Sequence, residues 1–247
     1  MTDGGALLVD DRAGVRILTL SQPARRNALT PVMLGALVDA VTHVGDARAV
    51  VLIGEGAVFS AGFDLTAITE DVRAQGVDPI GDAAAAISAC RVPVIAGVVG
   101  ECHGGAVELC AACHVVVAAP SARFSIPAVR LGLVYPARGL VRLAARLGPA
   151  AARVAVTGAP FSSVDAARWG LVQELEEDAT SRAHALAAAC ASAAPLAVAG
   201  TLAALRDIAA GAVDDIERHR APALGSADLA EGIAAARARR PPTFTGR

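Results

Sequence analysis

Apolar and polar positions alternate twice near the start of the chain, over residues 6–10 and 15–20, on either side of Asp11-Arg12-Ala13-Gly14. Period-two alternation around a glycine-bearing turn predicts a β-hairpin. Residues 22–29 form a polar turn, and Thr30-Pro31 predicts a helix N-cap followed by proline in the first helical position, with the helix running to about Val44. Residues 49–53 and 93–99 are unbroken apolar runs of the kind found in strands buried on both faces. A helical segment is expected over residues 78–90 and a strand over 115–118. Beyond Val141 apolar and arginine positions alternate at helical spacing over 140–147, 149–157 and 163–169, with a short strand near 171–174. Further helices are expected over 180–192, 195–210 and 228–240, broken by proline and glycine.

Both buried runs end in a small-residue turn that opens a helix. The first turn is Gly54-Glu55-Gly56-Ala57-Val58-Phe59-Ser60-Ala61-Gly62-Phe63-Asp64-Leu65; the second is Val99-Gly100-Glu101-Cys102-His103-Gly104-Gly105-Ala106-Val107-Glu108-Leu109. A strand-to-helix junction leaves backbone N–H groups unpaired and aimed at negative charge. Two such junctions can give one N–H each to a single oxyanion. Glu108 lies one turn into the second helix between apolar neighbours, where burial raises a carboxylate's pKa and suits it to proton transfer.

Phe59-Ser60-Ala61-Gly62-Phe63-Asp64-Leu65, the strand before Gly100, and His103-Gly104-Gly105-Ala106-Val107-Glu108-Leu109 resemble, at the same spacing, the two oxyanion motifs of the enoyl-CoA hydratase/isomerase (crotonase) family. The likeness runs nearly end to end. It implies an α/β fold: a crotonase-type spiral of β-β-α repeats over residues 1–191 and a C-terminal helical domain over 192–247 that makes trimer contacts, in a homotrimer or hexamer. It implies Phe63 and Gly105 as the N–H donors to a thioester oxygen and Glu108 as a catalytic carboxylate. Coenzyme A, as part of the substrate and with no tightly bound cofactor, would run along Ala24, Arg25 and Arg26 and along Ala61, Gly62, Asp64, Leu65 and Gly104. Guanidinium groups suit its phosphates, whereas Asp64, just inside a helix start, suits the helix dipole better than catalysis. Arg237, Arg239 and Arg240 read as a solvated basic end.

The pattern breaks after Pro127. Family hydratases carry their second catalytic glutamate at the next position; this chain has Ala128, and no carboxylate stands nearby along the chain to replace it. Losing one positioned acid–base group costs about 10²–10⁴-fold in rate, so efficient two-carboxylate hydration is not expected. Tyr135, in Leu131-Gly132-Leu133-Val134-Tyr135-Pro136, resembles the methylmalonyl-CoA decarboxylase branch, which lacks that glutamate and places an active-site tyrosine here. That branch has a histidine where this chain has Phe63. Arg138 is a candidate for offsetting the Glu108 charge. Three readings stay open: proton transfer on an acyl-CoA by Glu108, as in double-bond isomerisation; decarboxylation using Tyr135; and acyl-CoA binding without turnover.

Composition narrows the setting. The 247 residues carry a formal charge of −2, with 22 basic residues that are all arginine. The lack of lysine excludes Schiff-base chemistry, and the lack of basic runs argues against nucleic acid. The chain is 54% hydrophobic, yet no apolar run reaches the roughly 18 residues of a membrane span. Five cysteines without metal-ligand spacing, Cys110 and Cys113 included, suggest reduced thiols and a cytoplasmic setting with no metal. His103 and His114, with no evident carboxylate partner, read as packing or turn residues, and Cys102 as filler.

Overall fold

A computed structural model describes residues 5–67 and 77–247. Its larger sheet holds β1 (Ala6–Arg12), β2 (Val15–Ser21), β3 (Ala49–Gly54), β4 (Val94–Val98), β6 (Val115–Ala118) and β9 (Glu174–Leu175), side by side in that order. β1 and β2 pair antiparallel, and every later neighbour is parallel. The hairpin turn places Ala13 and Gly14 at φ +49° and +77°, the two left-handed positions whose twist matches that of the strands. A smaller sheet holds β5 (Glu101–His103), β7 (Arg123–Ser125) and β8 (Phe161–Ser162), with β5 and β7 parallel.

The chain spirals between these sheets. β4 in the large sheet leads to β5 in the small one and then to a helix; β6 leads to β7 and then to further helices. The first turn joins the same pattern at Ser60, which bridges Cys102: its N–H donates to Glu101 at 3.1 Å and its carbonyl accepts from His103 at 3.0 Å.

Helices cover both faces of the large sheet, as parallel strands require. On one face, α1 (Pro31–Thr42), α2 (Pro79–Ala89) and α3 (Gly105–Ala112) enclose the main core with Leu18, Leu52, Val94 and Val116. Thr30 caps α1 by accepting from the Met33 N–H at 3.1 Å, as the Thr-Pro pair predicts. On the other face, α7 (Ala179–Ser192) lays Ala179, Ala183, Ala187 and Ala191 over Val51, Ile95 and Val117. This four-residue alanine stripe lets the helix approach closely: a Cβ on Gly97 would lie 3.1 Å from the Ala179 carbonyl oxygen. Between α3 and α7 come α4 (Ala137–Leu147), α5 (Ala150–Thr157) and α6 (Ser163–Arg168). After α7 come α8 (Pro195–Ala209), α9 (Ala221–Leu224) and α10 (Ala227–Ala238). No described helix is both long and apolar enough to cross a membrane.

Candidate active site

Asn27 sets the position of the first turn. It is fully buried at φ +53°, and its amide nitrogen donates to the carbonyls of Glu55 at 2.9 Å and Val58 at 2.7 Å. The Ser60 hydroxyl donates back to the Asn27 carbonyl at 2.7 Å. Phe63 bridges Leu29, which donates to Gly62 at 2.8 Å while Asp64 donates to Leu29 at 2.9 Å. These bonds engage both neighbours of Phe63 and leave the Phe63 N–H without an acceptor among the described residues.

The second turn meets the first at glycine. Gly62 lies so close to the second turn that a Cβ on it would be 2.6 Å from the His103 carbonyl oxygen. Gly104 caps α3 at φ +54°, ψ −122°, a region that residues with a Cβ avoid. Gly105 then begins α3, and its N–H also has no acceptor among the described residues. Phe63 and Gly105 line one cavity of about 310 Å³, together with Ala61, Gly62, Leu65 and Gly104. The two turns read from the sequence as one oxyanion site are thus brought together.

Glu108 forms part of the wall of that cavity and is 1% exposed. Burial pushes its pKa above the ordinary glutamate value, against the lowering effects of the Tyr135 hydroxyl and the Arg142 guanidinium. Arg142, in the second turn of α4, donates from Nη1 to Glu108 Oε1 at 2.5 Å. Tyr135 borders the same cavity. Its hydroxyl is buried beside Glu108, and burial and the Glu108 charge both push the phenol well above its usual pKa. Gly139 makes this convergence sterically possible: a Cβ there would lie 2.4 Å from Tyr135 Cε1 and 2.5 Å from Glu108 Oε2.

Two charges stand where the sequence does not put them. Ala128 does line the cavity, but the absence of a nearby carboxylate along the chain does not carry over into space: Asp78, at the N-cap of α2, lines it too. Asp78 lies 50 positions from Ala128, so only the packing of α2 over α3 reveals it. Arg138, the sequence candidate for balancing Glu108, instead faces outward and pairs with Asp82 at 2.6 Å. That balance comes from Arg142, one helical turn further on. The signal available for Arg142 was its i,i+4 placement after Arg138 on an amphipathic helix, which cannot tell which arginine turns inward.

The remaining candidates fall outside the cavity lining. Arg25 donates to both carboxylate oxygens of Asp64, at 2.7 and 2.8 Å. Asp64 also accepts from the Thr66 N–H at 3.0 Å, so both oxygens of this buried carboxylate are held within the protein. Arg26 pairs with Glu101 at 2.8 Å. His103 has a carboxylate neighbour after all, Glu101 at 3.6 Å, and its Nδ1 shares a 2.9 Å bond with the Ser125 hydroxyl. His114 is a packing residue: its Nδ1 accepts from the Val94 N–H at 2.9 Å, and burial lowers its pKa to about 4. Cys102, Cys110 and Cys113 are buried free thiols. No group of metal-ligating side chains occurs among the described residues. Arg240 is tied to Glu231 at 2.6 Å.

Comparison with known proteins gives the family and the fold. The enoyl-CoA hydratase/isomerase family pattern matches residues 10–246. The 2,3-dehydroadipyl-CoA hydratase of Escherichia coli strain K12 is 33% identical over 98% of this chain and 99% of its own length. A probable enoyl-CoA hydratase of Rhodobacter capsulatus is 35% identical over 95% of each chain. The crystal structure of a family member from Hyphomonas neptunium superposes with a TM-score of 0.90 at 31% identity, over 98% of each chain. With the two-sheet spiral, the paired turns and the buried Glu108 in place, the chain is an enzyme of the enoyl-CoA hydratase/isomerase family with the crotonase fold.

Proposed function

We propose that the cavity takes the acyl group of a coenzyme A thioester, with the thioester oxygen on the N–H groups of Phe63 and Gly105 and with Glu108 moving a proton at the α-carbon. The observation that carries this reading is the pair of acceptor-free N–H groups on the same cavity as a buried carboxylate. An α-proton of a thioester is too weakly acidic for a carboxylate alone. Fixed donors aimed at the developing enolate oxygen lower that barrier, each contributing about 10²–10³ in rate. The names of the relatives, hydratases of acyl-CoA substrates, support the same substrate class. Arg25 and Arg26, with side chains 45% and 62% exposed, are the proposed phosphate contacts, beside backbone at Ala24. Residues 192–247 are the proposed contact surface of a homotrimer or hexamer.

A specific observation favours decarboxylation as a second reading. The Tyr135 hydroxyl is buried on the cavity beside Glu108, placed to hold a substrate carboxylate out of the thioester plane, and Arg142 offsets the Glu108 charge that would repel it. A mass-spectrometric turnover screen on crotonyl-, 3-enoyl- and methylmalonyl-CoA separates the readings. Water addition and carbon dioxide loss change the product mass, and isomerisation changes its retention time. Product from an enoyl thioester supports the first reading; loss of carbon dioxide, abolished by Tyr135→Phe, supports the second. Measured acyl-CoA binding with no turnover and no α-proton exchange would leave a binding protein and remove both.

The protonation of Glu108 gives a pH signature for the first reading. Abstraction of an α-proton needs the ionised carboxylate, so deuterium exchange into butyryl-CoA should fall on the acid side with a limb above the ordinary glutamate value of 4.5. Arg142 favours the ionised form. Arg142→Gln should therefore move that limb to higher pH, readable by NMR across pH 4 to 8, with both limits about the range of ordinary buffers around the reference carboxylate value. A limb that moves down or stays put would mean that Arg142 does not set the charge of Glu108.

A further inference from the structure

We propose that Asp78 is the second acid–base carboxylate of this cavity, activating the water that Glu108 alone has no partner to hold. This rests on the enolate reading above and extends it to addition of water across an enoyl thioester.

Asp78 reaches the cavity by its place at the start of α2. Its Oδ1 accepts from the Gly81 N–H at 2.9 Å, which fixes the carboxylate plane. Its Oδ2 is buried and has no hydrogen-bond partner among the described residues. Gly81 makes room for it, since a Cβ at that position would lie 2.1 Å from Oδ2. A cap needs only one oxygen; the second is left over, sequestered from solvent, on a residue that lines the same cavity as Phe63, Gly105, Glu108 and Tyr135. A buried carboxylate oxygen without a donor is costly, and a water molecule in the cavity is the ligand that satisfies it. Among the described residues, the neighbouring carboxylates of α2 and α3 each have a cation of their own. Asp82 on α2 is paired with Arg138 from α4, and Glu108 on α3 with Arg142. The Asp78 charge reaches Glu108 and Tyr135 and raises the pKa of both, which places the three groups in electrical contact.

The step balances. Water attacks the β-carbon and gives one proton to Asp78 as the new C–O bond forms. The π electrons of the carbon–carbon double bond move to give the enolate, whose oxygen lies on the N–H groups of Phe63 and Gly105. Protonated Glu108 then delivers its proton to the α-carbon and the carbonyl re-forms. Asp78 ends protonated and Glu108 ionised, and one proton exchanged with solvent at each restores them. Ala128 supplies no proton acceptor, so in this chain the second carboxylate comes from α2 instead of from the segment after Pro127.

The test compares two rates on the full-length protein. Crotonyl-CoA hydration needs both carboxylates, whereas α-proton exchange of butyryl-CoA in deuterium oxide needs only Glu108 and the N–H pair. Asparagine is as good an N-cap as aspartate, so Asp78→Asn keeps α2 in place, and Asp78→Ser is a second variant that keeps the cap. Both should lower hydration kcat about tenfold or more beyond any loss of exchange, in keeping with removal of an acid–base group. Hydration within about twofold of wild type, or equal loss of both rates, overturns the proposal and leaves Asp78 a cap. A wild-type protein that exchanges but does not hydrate overturns it while the enolate reading stands. A wild-type protein that does neither overturns both.

Discussion

Replacing Glu108 with glutamine should slow α-proton exchange and any enoyl-CoA turnover by about 10²–10⁴-fold, the range for loss of a positioned proton-transfer group. The substitution is nearly isosteric, and its amide oxygen can still accept from Arg142, so the ion pair seen at 2.5 Å becomes a hydrogen bond from the charged guanidinium to a neutral amide without a new cavity. The proposed oxyanion donors belong to the backbone of Phe63 and Gly105, which the substitution leaves untouched. Acyl-CoA affinity, measured by calorimetry, should accordingly change by less than about tenfold, that is by less than about 1.4 kcal/mol. A variant that kept wild-type exchange would remove Glu108 from the chemistry. One that lost binding in proportion to rate would make it a substrate contact instead.

Gly139→Ala should destabilise the protein and disable it together. In an ordinary helix interior the change adds stability, by about 1 kcal/mol. Here the added methyl falls 2.4 to 2.8 Å from the Tyr135 ring and 2.5 Å from Glu108 Oε2. Neither neighbour is free to retreat: Glu108 is 1% exposed and held by Arg142, and the Tyr135 ring packs against the main core. Overpacking of this kind costs about 1–3 kcal/mol, which reverses the sign expected from helix propensity. Thermal melting should show a lower Tm than wild type, and exchange should fall because the carboxylate is displaced from the α-carbon. A Tm at or above the wild-type value would show that α4 can shift outward and that Gly139 is not what brings Tyr135 and Glu108 together.

The wall of the cavity explains why the site was only half legible along the chain. The oxyanion turns were readable because each is local: a buried strand, a small-residue turn and a helix start lie consecutively, and the N–H groups are left over by the geometry of the turn itself. Gly104 and Gly62 could be read because backbone conformation and close approach there exclude a Cβ. Glu108 followed, since it lies one turn into the same helix. Asp78, Arg142 and Gly139 are different. Along the chain Asp78 only begins a helical segment 30 positions before Glu108, Arg142 is one of several arginines on an amphipathic helix, and Gly139 carries no signal of its own. Their roles come from how α2, α3 and α4 meet. The two arginines show the difficulty most plainly. Arg138 was the candidate counter-charge by sequence, yet a single turn of α4 sends it out to Asp82 and brings Arg142 in.

By itself, the amino-acid sequence determined the strands of the larger sheet, most of the helices, its family likeness and the two strand-to-helix turns. These depend on contacts within a dozen residues, where hydrophobic period, capping and turn chemistry act directly on the backbone. The tertiary structure decided which charges share the cavity. Three helices from separate repeats of the spiral converge there, and whether a carboxylate is buried beside another depends on helix rotation and packing distance, which no local pattern records. Ala128 removes one acid from the site in sequence, and the packing of α2 returns another in space.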